Sequence, residues 1–431
     1  MKKNFYNTFV LLSNANGLHY NAFNNNFLLL DALKHKEFVE NGPDEIKCMD
    51  PELYELLENN GFIIEDDIDE LSIVEFRKIS TKLDSTLYNI VINTTLDCNL
   101  DCWYCYEHKQ ENSILKDDIV ELIENNIKMK YSEIRFKRLM VSFFGGEPLL
   151  NIEAVKKILI FCRNFSDLND IELIADFTTN LTLLSDDLIY FLSNYKCRFQ
   201  VTFDGDEKKH NKVRFYKKDK TGTYKTILDN IYKIQTGICN SKVWIRINFD
   251  NQTLINFKDI LKDISGLDRK RNFLIIRKVW QLKPNSIEKN YILSALDSAI
   301  KLGFHIDNYS LPRTSLCFAE RLNEVLINYD GRVFKCSTYD CFDDTNAEGV
   351  IDRNTGIVHW NTSKLAKKMI RKTPERCIQC KLFPVCLGPC SRKCQSNTDE
   401  FVCMIDSTGL SMEEFIVYNF KLAMLRKRLG Y

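Results

Sequence analysis

Glycine and proline are scarce, 16 and 8 residues in a chain of 431. That excludes a collagen-like, low-complexity or linker-dominated protein. Net charge is also absent, with 59 Lys and Arg against 59 Asp and Glu. A balanced chain has no field drawing it to nucleic acid or anionic lipid, so neither is an expected partner. No apolar run approaches the roughly 18 residues of a membrane-spanning helix. The opening MKKNFYNTFVLLSNANG lacks the long apolar core and small-residue cleavage site of a signal peptide. The expected location is the cytoplasm, away from membranes. No repeat of fixed period is visible.

Cysteine is abundant, with 16 residues, and 45% of the chain is hydrophobic, ample for a sizeable core. In a cytoplasmic protein disulfides are disfavoured, and cysteine-rich segments point to metal or redox chemistry. Three cysteines sit together at Cys98, Cys102 and Cys105. Nine more follow residue 316: Cys317, Cys336, Cys341, Cys377, Cys380, Cys386, Cys390, Cys394 and Cys403. The isolated Cys48, Cys162, Cys197 and Cys239 read as buried small hydrophobes.

The chain reads as three regions. Residues 1–82 predict an N-terminal α+β domain: two or three short strands around polar turns, then helices, with Asp50 as an N-cap and Gly61 as a helix terminator. Residues 83–305 alternate strand and helix, with strands expected at 87–95, 139–146, 171–179, 198–203, 242–249 and 272–280. Most are near-continuous apolar runs, as expected where a strand is covered on both faces. Repeated βα units give a parallel sheet, open or curled into a barrel, with active residues at the C-terminal strand ends. From 306 to 431 the cysteines crowd, and segments such as NYDGRVFKCSTYDCF read as metal-held loops before a last amphipathic helix. The basic residues ending that helix suit its dipole and a solvated face.

The triad Cys98-x3-Cys102-x2-Cys105 directly follows the first strand of the alternating region. Three thiolates on one loop can hold three irons of a cubic cluster and leave the fourth open. A structural zinc would want a fourth ligand, and only His108 is near. With Tyr104 before the third cysteine, the motif resembles the radical SAM superfamily. The resemblance continues along the domain. Gly145, Gly146 and Glu147 match the family's GGE motif, which implies close backbone approach to the cofactor and a carboxylate for the methionine ammonium of S-adenosylmethionine. Asn180 matches a TN pair, although Leu181 replaces the usual glycine. Thr202, Asp204, Gly205, His210 and Arg214 follow the S-x-D-G…H-D-x-x-R pattern, with Thr for Ser and Asn211 for Asp. Arg214 would hold the methionine carboxylate, and Arg246 with Asn248 matches an Arg-x-Asn strand. The resemblance implies a partial (β/α)6 barrel, an α/β fold.

The C-terminal cysteines resemble the seven-cysteine SPASM signature of radical SAM peptide modifiers, which carry two auxiliary 4Fe–4S clusters. The rival reading is a pair of structural zinc sites. By resemblance, Cys317, Cys336 and Cys390 serve the first cluster, and Cys377, Cys380, Cys386 and Cys403 the second. Cys341 supplies the first cluster's fourth ligand, or one iron stays open. Cys394 is a spare or exchanges with Cys403.

The implied cofactors are a 4Fe–4S cluster binding S-adenosylmethionine and the two auxiliary clusters. The implied chemistry is reductive cofactor cleavage and hydrogen abstraction by a 5′-deoxyadenosyl radical, fed by a flavodoxin- or ferredoxin-type donor. Two substrates compete. One is a ribosomally made precursor peptide that receives a cross-link, and residues 1–82 resemble the leader-binding domains of such maturases. The other is a sulfatase, matured to formylglycine, but Ser337 stands where those enzymes place an Asp. A scaffold that has lost catalysis is a third reading, opposed by the intact Cys98, Cys102, Cys105 and Glu147. No catalytic base stands out among the Tyr, Asp and Lys residues at the strand ends.

Overall fold

The computed structural model describes residues 1–282, 287–311, 316–370, 372–390, 403 and 405–430. The chain divides into two compact units: Met1–Leu83 with Tyr309–Cys317 and Ile370–Arg428, and Asp84–Asn308 with Phe318–Met369 and Leu429–Tyr431. The cysteine-rich tract past residue 306 is therefore shared between them.

In the first unit, β1 (Lys2–Lys3) precedes a three-stranded antiparallel sheet of β2 (Asn7–Leu11), β3 (Gly17–Asn21) and β4 (Asn26–Leu30), ordered β2-β3-β4. Helices Ala32–Glu40, Pro43–Met49 and Pro51–Asn59 follow, then β5 (Ile63–Ile64) paired with β1, and helix Glu70–Leu83. The predicted punctuation is present: Asp50 accepts from the Leu53 N–H at 2.9 Å, and Gly61 takes φ +76°. Leu30, Phe38, Ile46, Leu53, Leu57 and Phe62 form the core. The terminal helix Met412–Leu429 places Phe420 5.5 Å from Phe27 of β4. Its basic end is only partly solvated, because Arg426 donates to the Leu311 carbonyl at 2.8 Å.

The second unit is built on six parallel strands: β6 (Leu87–Thr95), β7 (Arg138–Gly145), β8 (Glu172–Thr178), β9 (Lys196–Phe203), β10 (Ser241–Phe249) and β11 (Asn272–Lys278). They lie in sequence order, with crossover helices such as Asp117–Ile134 and Ile152–Asn169 between them. Residues from the C-terminal ends of β7 through β11 line one common cavity, so the sheet is curled into a partial barrel.

The expectation of strands covered on both faces holds for β6, where all nine residues are buried. It fails for β9, where Cys197, Phe199, Val201 and Phe203 are buried while Arg198, Gln200 and Thr202 are half-buried. The alternation arises because the helix-facing side is dry and the lumen-facing side borders open space.

The sheet does not end with the barrel. Strands β12 (Glu324–Ile327), β13 (Arg332–Phe334), β14 (Gly349–Ile351) and β15 (Val358–Trp360) extend it, with β12 parallel to β6 and the rest antiparallel. The sequence reading as loops was wrong here. Runs of three or four residues are too short to show alternation, and the hairpin turns on Gly331 at φ +88°. Cys162 and Cys197 are buried as expected, but Cys48 and Cys239 are exposed. Cys48 lies on a helix whose only buried residue is Ile46, and Cys239 sits in the turn before β10.

Candidate active site

The cavity at the strand ends has a volume of about 210 Å³. Cys98, Cys102 and Cys105 all line it, carried on the loop that leaves β6. That loop is fixed by its own backbone: Asp97 accepts from the Cys98 N–H at 2.8 Å, and the Cys105 N–H donates to the Cys102 carbonyl at 3.1 Å. Burial pushes the Cys98 thiol up to about 12 and raises Cys102 and Cys105 as well. Such thiols are protonated until a metal binds and deprotonates them. Among the described residues, no three His, Cys, Asp or Glu side chains converge on a single ion. Three thiols on one loop lining an open cavity fit a cubic cluster with one free corner.

The glycine pair explains how this loop sits. A Cβ on Gly145 would lie 2.1 Å from the Thr95 carbonyl oxygen, and one on Gly146 would lie 2.0 Å from that of Asp97. Both glycines also border the cavity. Gly146→Ala is therefore expected to displace the cysteine loop, destabilising the fold by about 1–3 kcal/mol. Iron bound per chain, measured beside the wild type, is expected to fall; full iron content would refute this.

Glu147 ends the glycine turn. Its carboxylate is fully buried and accepts from the Leu149 N–H at 3.0 Å, the Thr179 hydroxyl at 2.7 Å and the Asn180 N–H at 2.7 Å. These three bonds tie the end of β8 to the glycine turn. Burial raises its pKa despite those donors. It positions the cavity wall, whereas Asn180 lines the cavity and aims its amide at the Cys98 sulfur, 3.7 Å away.

Tyr104, Thr202, Arg214, Arg246 and Asn248 also line the cavity, with Asp204 buried behind them. The Tyr104 hydroxyl donates to Asp204, 2.7 and 2.8 Å from its two carboxylate oxygens. Arg214 gives Nε to Asp204 at 3.0 Å and Nη2 to the Tyr104 oxygen at 2.7 Å. Asn248 donates to both, at 3.0 and 3.1 Å, and receives Nε of Arg246 at 2.8 Å. The expected ligand Asp204 is thus a hub that orders its neighbours, and part of the Arg214 fork is already committed. Burial alone would raise the Asp204 carboxyl, but Arg214, His210 and the hydrogen bonds hold it below its ordinary value.

His210 is fully buried, accepts the Asp204 N–H at 3.2 Å and lies 3.0 Å from the Thr223 hydroxyl. Burial lowers its pKa from 6.5 to about 3. Below pH 6.5 the unfolded chain takes up a proton there that the folded protein refuses. Stability is therefore expected to fall by about 1.4 kcal/mol per pH unit on acidification toward pH 3. His19, lowered to about 4 by burial, acts in the same direction in the first unit. Denaturant melts from pH 7 to 5 check this, and His210→Asn is expected to flatten the slope.

Several lining residues escaped the sequence reading: Gln200, Lys278, Trp280, Gln281 and Glu107. Period-2 alternation from Thr202 would have flagged Gln200, and the strand-end rule Lys278. Trp280 and Gln281 follow β11 in a loop without a motif. Trp280 stacks on Tyr106 at 6.2 Å, and Gln281 donates to the Tyr104 carbonyl at 2.7 Å. Burial lifts Glu107 to about 7, opposed by its hydrogen bond with Tyr106.

In the first unit, Cys377, Cys380, Cys386 and Cys403 surround a second cavity of about 320 Å³. Four thiols from one compact unit fit the second auxiliary cluster. Cys317 and Cys390 belong to that same unit, and Cys336 to the sheet unit. The Cys341 sulfur lies 2.7 Å from His108 Nδ1. Cys394 lies outside the described residues.

A curled sheet of parallel strands with a three-cysteine loop beside a polar cavity at its C-terminal edge defines an iron–sulfur enzyme that uses S-adenosylmethionine. Residues 92–264 match the family model of the radical SAM superfamily and form a radical SAM domain. It is 24% identical over 361 residues to the cysteine-type anaerobic sulfatase-maturating enzyme of Clostridium perfringens, covering 75% of this chain and 93% of that one. It is 23% identical over 398 residues to the radical SAM cyclopropyl synthase TigE of Paramaledivibacter caminithermalis, covering 84% and 80%. By structure it is similar to native anSMEcpe with bound AdoMet and Cp18Cys peptide, with TM-score 0.60, 19% identity and coverage of 80% and 99%. It is also similar to Streptococcus suis SuiB bound to precursor peptide SuiA, with TM-score 0.51, 13% identity and coverage of 93% and 98%. Among the described residues, no helix is long and apolar enough to cross a membrane.

Proposed function

We propose that the protein is a peptide maturase that installs a carbon–carbon, ether or thioether cross-link in a ribosomally made precursor peptide. The observation that carries this reading is the three-stranded antiparallel sheet within residues 1–82, which has two strand edges. Strands β2 and β4 are its outer members, and Phe9 and Leu11 of β2 are 44% and 59% exposed. A leader peptide added as a further strand would gain main-chain hydrogen bonds from an edge and side-chain pockets from such residues. The likeness to SuiB extends over 93% of the chain, against 80% for anSMEcpe, which supports a shared N-terminal domain.

The cluster and S-adenosylmethionine, when bound, supply one-electron cleavage and a hydrogen-abstracting radical. The protein's own part is placement. Cys98, Cys102 and Cys105 hold the cluster, Arg214, Arg246 and Asn248 present donors to the cofactor's polar groups, and Tyr106 with Trp280 walls the cavity mouth. The C-terminal cysteines would hold auxiliary clusters, which would supply an acceptor for the electron released when the bond closes, and a flavodoxin- or ferredoxin-type protein would supply the first.

The test is anaerobic co-expression with a short open reading frame beside this gene, weighing the peptide with and without thiol alkylation. Loss of two hydrogens with every thiol still alkylatable indicates a carbon–carbon or carbon–oxygen bond. The same loss with one thiol missing indicates a thioether. An unmodified peptide despite 5′-deoxyadenosine formation counts against it as substrate.

Formylglycine formation is the second reading, supported by similarity to the Clostridium perfringens enzyme over 93% of its length. Against it, the residue after Cys336 is Ser337, whose carbonyl accepts from the Tyr106 hydroxyl at 3.2 Å, and its neighbour Thr338 lines the cavity. A sulfatase-motif peptide converted to an aldehyde, trapped with a hydrazide, would favour this second reading over the first.

A further inference from the structure

The cavity formed by Cys377, Cys380, Cys386 and Cys403 has a wall that no cysteine motif predicts. Phe383, 1% exposed, lines it. The ammonium of Lys78, a residue only 4% exposed, lies over that ring, 5.6 Å from its centroid. Lys78 belongs to helix Glu70–Leu83, some three hundred residues earlier in the chain. Its Nζ donates to the Thr373 hydroxyl at 3.1 Å, and that hydroxyl donates to Glu75 of the same helix at 2.8 Å. The helix therefore grips the loop leading into Cys377 at two points.

Other charges at this cavity act more weakly. Arg376 and Asp406 form a 3.1 Å pair whose side chains are 64% and 57% exposed. Their fields largely cancel and are screened by water. A buried ammonium in a low-dielectric wall is screened far less. Lys381 donates to the Phe5 carbonyl, with its ammonium 3.7 Å from the Phe5 ring centroid.

We propose that Lys78 sets the reduction potential of the iron–sulfur cluster held by Cys377, Cys380, Cys386 and Cys403. Accepting an electron makes a cluster more negative, so a buried cation beside it stabilises the reduced state and raises the potential. Lys78 is a tuning residue, touching neither substrate nor reacting atoms. Because it lies on the N-terminal helix, the region proposed to bind the leader also bears on electron acceptance. The inference rests on the auxiliary-cluster part of the proposed function and on nothing about the peptide.

The experiment is a redox titration followed by EPR on the full chain, with Cys98, Cys102 and Cys105 replaced so that only auxiliary clusters contribute. Lys78→Gln and Lys78→Met, both neutral, are expected to shift one cluster's midpoint downward at unchanged iron content. Lys78→Arg is expected to hold the wild-type value. Unmoved potentials in both neutral variants overturn the inference, as does an arginine variant that shifts as far as glutamine. Neutral variants that lose the cluster while arginine keeps it also overturn it, since the lysine would then only hold the loop. A parent protein without iron at these four cysteines would instead refute the auxiliary-cluster reading itself.

Discussion

Replacing Cys98, Cys102 and Cys105 together by alanine is expected to abolish 5′-deoxyadenosine formation while leaving the C-terminal iron in place. These thiols are the only described cysteines lining the main cavity. His108, close to the triad in sequence, is engaged with Cys341. The four cysteines of the second cavity belong to the other compact unit, so their iron has no reason to follow. With three clusters of four irons, the triple variant is expected to lose about one third of the iron. Iron analysis and chromatography of the cofactor products check both halves. Cofactor cleavage persisting above the buffer level would sink the assignment, and loss of all the iron would mean that the clusters are not independent.

The second large effect is expected at Arg214. The Arg214–Asp204 pair is buried, with side-chain exposures of 12% and 3%, and Asp204 also holds Tyr104 and Asn248. Arg214→Met keeps the apolar stem but leaves a buried carboxylate without its cation. Breaking a buried pair from one side costs about 3–5 kcal/mol. Burial works against the Arg214 charge, but Tyr104, Cys102 and Asp204 together hold its pKa well above the ordinary value. Asp204 would recover part of the loss by taking up a proton, so the deficit should shrink as pH falls toward the carboxylate range. Arg214→Lys retains the charge without the fork and should lose less. Anaerobic denaturant melts measure the stability, and equilibrium dialysis measures S-adenosylmethionine binding, expected to weaken at least tenfold. A stability loss under about 1 kcal/mol would mean that water reaches Asp204 and that the hub is not dry.

The barrel was legible because each βα unit announces itself within a dozen or so residues. The strand expected at 87–95 is Leu87–Thr95, and the triad follows it directly. The glycine pair was legible by motif, but its physical reason was not. The clash it avoids is with the carbonyls of Thr95 and Asp97, which only the folded loop brings near. Glu147 and Asp204 illustrate the same limit. Sequence names a carboxylate but not whether its oxygens face the cavity or are already satisfied from behind. Trp280 and Lys78 carried no signal, because their importance lies in what a distant segment places beside them. Strands β12–β15 were missed because they are shorter than any periodicity.

Strand β12 has one more consequence. It joins β6 in parallel register, Ile327 opposite Ile92, and β13 folds back to deliver Cys336 two residues after Phe334. Cys98 leaves the other member of that pair three residues after Thr95. One hydrogen-bonded ruler therefore fixes the gap between the cysteine loop and Cys336. Tunnelling rates fall steeply with distance, so a gap set by sheet geometry rather than by a linker is protected against thermal drift. Insertions in the loops around this hairpin should leave the electron's path length unchanged.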